Sequence, residues 1–341
     1  MKVKTKKRTG SYTCVLESPI VITAAAAAVG TKEGEGPLGY KFDIVETDAM
    51  FGMTSWEKAE SEFAKVVVNL AAAKANLTLN DIDYIIAGDL LNQSTGSIFG
   101  LRETNRPYIG IFGACSAIGE GMGMGAMLVD GGYAKNILVM ASSHFCSAEK
   151  QFRFPLEFGS QRPPTSTWTV TGAGAVILSD TSSGVCITST THGKMIDMGI
   201  KDANNMGAAM AAAAADTIIN HLNDLNLEPS HYDRIITGDL GYVGQELLLE
   251  LVSRNGYDIS SQHTDCGIEM FDKNMQDTHS GGSGCGCSAA VFASHFYDML
   301  STREVDRILF VPTGALMSPT TLQQGESIPG IAHAVAIENI N

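Results

Sequence analysis

With 341 residues, 44% of them apolar and 18% charged, the chain is long enough to bury a sizeable core, as one large domain or two closely packed halves. Its formal charge of −14 excludes a general nucleic-acid binder, which needs a basic surface. Seven cysteines in no regular framework, in a chain too long to need staples, read as reduced thiols rather than disulfides, and no Cys/His set has zinc spacing.

The chain opens on MKVKTKKR, with five Lys or Arg between Lys2 and Arg8. This is either a solvated tail or a weak anchor on anionic lipid head groups, where each basic residue adds about 1 kcal/mol. No signal peptide is expected, because the basic start leads into TGSYTCVLESP rather than an apolar core. The apolar runs further on are alanine-rich and too short to span a membrane. After a long loop over 29–56, SWEKAESEFAKVVVNLAAAKAN carries a helical pattern, and DYIIAGD reads as a buried strand ending in Gly88-Asp89. Asp89 thereby stands at the end of a strand, where carboxylates line a crevice or cap the next segment.

FGACSAIGEGMGMGAML, residues 112–128, reads as a strand-to-helix junction with Cys115 just ahead of the helix. Free N–H groups and the positive dipole end lower a thiol's pKa there and favour a bound anion. A small buried core residue is an equal alternative for Cys115. The G-x-G pattern runs inside the helix and signals close packing, not a dinucleotide site. Another buried strand, KNILVMAS, leads to His144, Lys150 and Arg153, a His and two cations that suit an anionic ligand or a solvated loop. The segment 150–168, with Arg162, is rich in Pro and aromatics and reads as a lid over a pocket or as an oligomer contact.

The second half repeats the first. LEPSHYDRIITGDLGYV (227–243) aligns without gaps on LTLNDIDYIIAGDLLNQ (77–93), so Asp239 falls on Asp89, and each copy follows a long helical pattern. Further on, GCSA (286–289) answers ACSA (114–117), and HSGGSGCGC (279–287) offers Gly282 and Gly284 in a loop whose N–H groups suit a carboxylate or phosphate. Two pseudo-duplicated βαβ-rich halves follow, 1–182 and 183–341, built on a mostly parallel sheet covered on both faces, with the site at their seam. Paired across the repeat, Asp89 and Asp239 are placed to face each other there, one with a raised pKa.

These residues resemble the thiolase fold, and within it 3-oxoacyl-[acyl-carrier-protein] synthase III. The resemblance implies an α/β protein in a layered αβαβα arrangement. It also implies a cysteine, here Cys115, that takes an acyl group with the help of a His and usually an Asn from the second half. A closer resemblance extends over essentially the whole chain. KEGEGPLGYKFD, AGDLLNQ, AEKQFRFPLEFGSQRPPT, DANNMGAAMAAAAADTI, GGSGCGCSA and SPTTLQQGESIPGIAHAVAIE look like the stage V sporulation protein AD family.

That family resemblance implies binding of dipicolinic acid (pyridine-2,6-dicarboxylate) in a pocket that does no chemistry. It further implies passage of this ligand into the developing spore and its release in germination. The protein would act peripherally at the spore inner membrane, beside other stage V sporulation A membrane proteins. No cofactor is implied beyond calcium travelling with the ligand; a homodimer is left open and nucleic acid is not a partner. Where the synthase carries its His, this chain has Asp239, and near the expected Asn it has Gly286. The expected ligand contacts are Cys115, Asp89, His144, Arg153, Arg162, Asp239, Gly282 and Gly284. Because the ligand is a dianion, either backbone N–H groups hold its carboxylates or calcium bridges it to Asp89. The alternatives are an acyltransferase using Cys115 with His279 as substitute base, and a purely structural adaptor.

Overall fold

The computed structural model describes residues 7–153, 161–181 and 183–340. The first six residues of the basic tail and the centre of the expected lid, 154–160, lie outside the described residues. Ten strands form the main path of a 13-stranded sheet: Thr13–Gly30 (β1), Tyr84–Gly88 (β2), Tyr108–Gly110 (β3), Asn136–Ser143 (β4), Gly172–Ser179 (β5), Gly184–His192 (β6), Arg234–Thr237 (β7), His263–Asp265 (β8), Arg307–Val311 (β9) and Gly330–Ile340 (β10). From one edge inward the order is β3-β2-β4-β5-β1, and from the other it is β8-β7-β9-β10-β6. Each half therefore contributes five strands in the same order. The halves meet where Thr13–Val21 of β1 pairs with β6, while Val21–Val29 pairs with β5.

The sheet is mixed, not mostly parallel. β2 runs parallel to β3 and β4, and β7 to β8 and β9. The other neighbours on the path are antiparallel. Parallel neighbours need crossovers, which the repeated helices supply, and the helix–strand alternation in the sequence covers only those outer strands.

Four helices set the layers: Trp56–Lys74 (α1), Ala117–Asp130 (α2), Met206–Leu225 (α3) and Cys285–Val291 (α4). The period-2 alternation of the strands sorts their side chains into separate cores. Ala24, Ala26 and Ala28 pack with Phe63 and Val67 of α1, whereas Ala25, Ala27 and Val29 share a core with Ile118 and Met122 of α2 and Phe292 beyond α4. In β9, Ile308 and Phe310 face this central core, while Leu309 and Val311 face α3. The layers thus read α1, half-sheet, α2 with α4, half-sheet, α3, which is αβαβα. Alanines in β1 and along α3 keep these layers close. Helix ends follow local rules: Asn205 accepts from Ala208 N at 3.3 Å ahead of α3, and Asn226 ends it in the left-handed region.

Candidate functional site

The central layer brings the N-terminal ends of α2 and α4 together, and Cys115 lies between them. Ala114 takes a left-handed conformation (φ 48°), the sharp turn that lets the chain leave the sheet and enter α2. The Cys115 Sγ stands 3.8 Å from the Ser283 Oγ, while the Cys285 thiol donates to the Ala114 carbonyl at 3.0 Å. The Ser288 hydroxyl donates to the Cys115 carbonyl at 3.4 Å. The Cys285 thiol chiefly, then the Ser283 hydroxyl and the Gly284 N–H, favour the Cys115 thiolate and draw its pKa down against the opposing effect of burial.

Cys115, Ser283 and Gly284 form part of the wall of a chamber of about 380 Å³, a size suited to a small ligand. Apolar Leu90, Phe112 and Met317 line it together with Thr167, Thr169, Asn204 and Arg153. The strand pair Trp168–Thr169 and Gly282–Ser283 aligns the glycine-rich loop beside Cys115. Gly284 has φ 109°, and a Cβ there would stand 2.7 Å from the Ser143 Oγ, so only glycine fits. That same Ser143 oxygen accepts from the Gly286 N–H at 3.0 Å. Gly282 packs behind the wall against the Phe271 ring rather than lining the chamber.

Asp239, just past β7, is fully buried, and among the described residues neither carboxyl oxygen has a well-formed hydrogen bond. Burial above all, then Cys115 and Asp265, push its pKa well above the usual carboxylate range; the Gly284 N–H and the Cys287 thiol offset this only in part. Asp265 has the opposite surroundings. It accepts from the Thr237 hydroxyl at 2.6 Å and from the Leu240, Gly241 and Gly267 N–H groups at 3.0 Å, which pins the turn after Asp239. Burial still pushes it up to about 6.

Several expected ligand contacts lie elsewhere. Asp89 is hydrogen-bonded within its own half. Its oxygens accept from the Leu91 N–H at 2.8 Å and from the Ser97 N–H and hydroxyl at 2.7 Å, and Leu90, not Asp89, lines the chamber. Its acidic neighbour is the buried Glu60, whose pKa burial and Asp89 push well above the usual carboxylate range. Among the described residues, no group of three or more His, Cys, Asp or Glu is arranged to hold a metal ion. His144 caps the helix Phe145–Phe152, its Nδ1 accepting from the Cys146 N–H at 3.2 Å and its Nε2 donating to the Ala49 carbonyl at 2.8 Å. Burial pushes its pKa down, which favours the neutral ring, and His144 is not among the chamber-lining residues.

Arg153 lines the chamber and pairs with Glu149. Arg162 lies off the chamber wall. It donates to the Asp277 carbonyl at 2.9 Å and stands 4.7 Å from the Trp168 ring centre, with Nη1 unpartnered among the described residues. Lys150 pairs with Glu57 at 2.6 Å, and His279 faces Asp277 at 3.6 Å. Thr167, Thr169 and Asn204 were not singled out in the sequence. Thr167 and Asn204 come from loops and Thr169 from the two-residue strand Trp168–Thr169, none with a periodicity that signals it.

The layers and the Cys115 junction define a thiolase-fold protein. Solved structures agree: the chain is similar to 3-oxoacyl-[acyl-carrier-protein] synthase III from Aquifex aeolicus VF5, with a TM-score of 0.58, 13% identity and 94% and 99% of the two chains covered. It is similar also to Acat5 thiolase from Ascaris suum in complex with coenzyme A, with a TM-score of 0.60, 10% identity and 95% and 100% coverage. Residues 10–338 match the family profile of stage V sporulation protein AD. The chain is 46% identical over 332 residues to stage V sporulation protein AD of Bacillus subtilis (strain 168), covering 97% of this chain and 98% of that one. The chain belongs to the stage V sporulation protein AD family. Among the described residues, no helix is long and apolar enough to cross a membrane.

Proposed function

We propose that the chain binds pyridine-2,6-dicarboxylate without transforming it, for uptake into the developing spore and release in germination. It does so at the inner spore membrane, as a peripheral partner of other stage V sporulation A membrane proteins. The observation that carries this reading is the buried Asp239 beside Cys115, where the synthase resemblance calls for a His, with His279 turned to Asp277. A cysteine without an activating base is a poor acyl acceptor, while the amphipathic chamber it lines keeps features that favour an anion. Arg153, with the Ser283 hydroxyl and the N–H groups near Gly284, supplies donors for carboxylates, and the apolar wall takes the ring. Calcium enters this reading only as part of the ligand.

Titration calorimetry with dipicolinate, with and without calcium, tests the reading beside intact-mass analysis after incubation with an acyl-CoA. Binding heat that falls at least tenfold in Arg153→Ala, with no mass gain, is the expected result. A stable acyl adduct that disappears in Cys115→Ala would overturn it in favour of an acyltransferase. Absence of heat under both conditions would overturn it in favour of an adaptor.

A further inference from the structure

The wall of the Cys115 chamber holds a hydroxyl that the fold leaves unused. Thr167 is 8% exposed, it lines the chamber, and its Oγ1 has no hydrogen-bond partner among the described residues. A buried hydroxyl left unpaired costs stability, so one that persists on a cavity wall points to a ligand. The backbone around it needs no help from the side chain. The Ser280 N–H donates to the Ser166 carbonyl at 2.9 Å, the Trp168 N–H to the Gly281 carbonyl at 2.8 Å and the Val170 N–H to the Ser283 carbonyl at 2.8 Å. These bonds lay 166–170 beside 280–283 as a ribbon in which Thr169 stands opposite Ser283.

Side chains alternate along such a ribbon. Thr167, Thr169 and Ser283 line the chamber, whereas Trp168 between the two threonines does not. The Trp168 ring stacks on Phe145 with centres 3.9 Å apart, and the Lys32 ammonium and the Arg162 guanidinium stand 4.2 and 4.7 Å from its centre. Those two cations donate to the Gln276 and Asp277 carbonyls at 2.6 and 2.9 Å, so the ribbon is backed by a packed layer. Thr169 marks the level of Ser283, whose Oγ stands 3.8 Å from the Cys115 Sγ. Thr167 lies two residues further along, about 7 Å away at the rise of an extended chain. Arg153 and Glu149 line the chamber too, paired with each other.

We propose that Thr167 is a specificity-determining residue of this chamber: its hydroxyl donates to the second carboxylate of a dicarboxylate whose first carboxylate lies at the Cys115 end, beside Ser283. The row Thr167, Thr169 and Ser283 sets the spacing of the two ends. A monocarboxylate leaves the Thr167 hydroxyl unpaired, and a site built to hydrogen-bond a group rejects the analogue that lacks it. The identity of the ligand rests on the dicarboxylate reading; the unpaired hydroxyl does not.

The test compares the full-length wild type with Thr167→Val, which keeps the shape and removes the hydroxyl, and with Thr167→Ser, which keeps the hydroxyl. Calorimetry with dipicolinate and with picolinate, the pyridine carrying one carboxylate, reads specificity. The wild type should prefer dipicolinate; Thr167→Val should lose about tenfold in dipicolinate affinity with that for picolinate unchanged, and Thr167→Ser should keep the preference. Urea unfolding without ligand gives a second readout, in which Thr167→Val should have a higher midpoint than the wild type because a buried unpaired hydroxyl is gone. An unchanged ratio of the two affinities in Thr167→Val would overturn the proposal. So would a lowered urea midpoint, or failure to fold, that Thr167→Ser restores, since the hydroxyl would then be structural. Absence of heat from either acid in the wild type, with the Thr167→Val midpoint still raised, would overturn the dicarboxylate reading and leave the free donor standing.

Discussion

Glu33 offers a quantitative test of how this chain handles buried charge. It sits in the short turn Thr31–Gly34, 1% exposed, and accepts a hydrogen bond from the Thr171 N–H at 2.9 Å. The adjacent Lys32 does not neutralise it, because that ammonium donates to the Gln276 carbonyl at 2.6 Å and lies over the Trp168 ring. Burial pushes the Glu33 carboxyl from 4.5 up to about 7. A carboxyl that binds its proton more tightly in the folded chain stabilises folding at low pH, and this contribution is lost as pH rises from about 4.5 through about 7. At about 1.4 kcal/mol for each pH unit, the loss amounts to about 3 kcal/mol. Glu33→Gln keeps an acceptor for Thr171 and removes the titration. Urea unfolding of both proteins across this interval gives a difference in which the other buried acids cancel. That difference should move by about 3 kcal/mol in favour of the variant as pH rises. A difference that stays constant with pH would refute the reasoning.

Other perturbations give further checks. Phe292, fully buried with its ring stacked 4.7 Å from Phe310, should cost about 3–5 kcal/mol in urea unfolding when changed to Ala. Gly284→Ala places a Cβ against Ser143 at φ 109° and should cost about 1–3 kcal/mol while weakening dipicolinate binding, measured by thermal unfolding and calorimetry. His221 lies between the Thr191 hydroxyl at 2.8 Å and the Tyr232 hydroxyl at 2.6 Å, and burial pushes it down to about 4. It favours folding above about 6.5 and withdraws that support as pH falls towards about 4, so His221→Gln should flatten the acid limb of the stability curve.

Much of the architecture was legible because it is local. The Gly-Asp-Leu repeat marks β2 and β7, and Asn205 and Asn226 bracket α3 with chemistry visible in the sequence. The strand directions were not legible in the same way, since β1 has no crossover helix of its own to declare its neighbours. At the site, the turn into α2 announced Cys115. The fate of the carboxylates did not announce itself. Asp89 and Asp239 occupy matching places in the repeat, yet one is held by Ser97 and the other has no well-formed hydrogen bond among the described residues. That difference depends on the short helix Thr95–Leu101, whose Ser97 lies eight residues beyond Asp89. Glu33 and Glu60 read as ordinary polar positions, and only tertiary packing makes them buried acids.

The long strand β1 carries a consequence for how the molecule comes into being. Its first part completes the sheet of the C-terminal half, and its last part completes the sheet of the N-terminal half. The segment made earliest must therefore wait until His192 has been synthesised before both its edges are occupied. Until then its Thr13–Val21 stretch presents an open edge, a template for pairing with another chain. Assembly closes from the outside inward onto the oldest part of the polypeptide, and a chain cut between its halves would leave β6 with an open edge of the same kind.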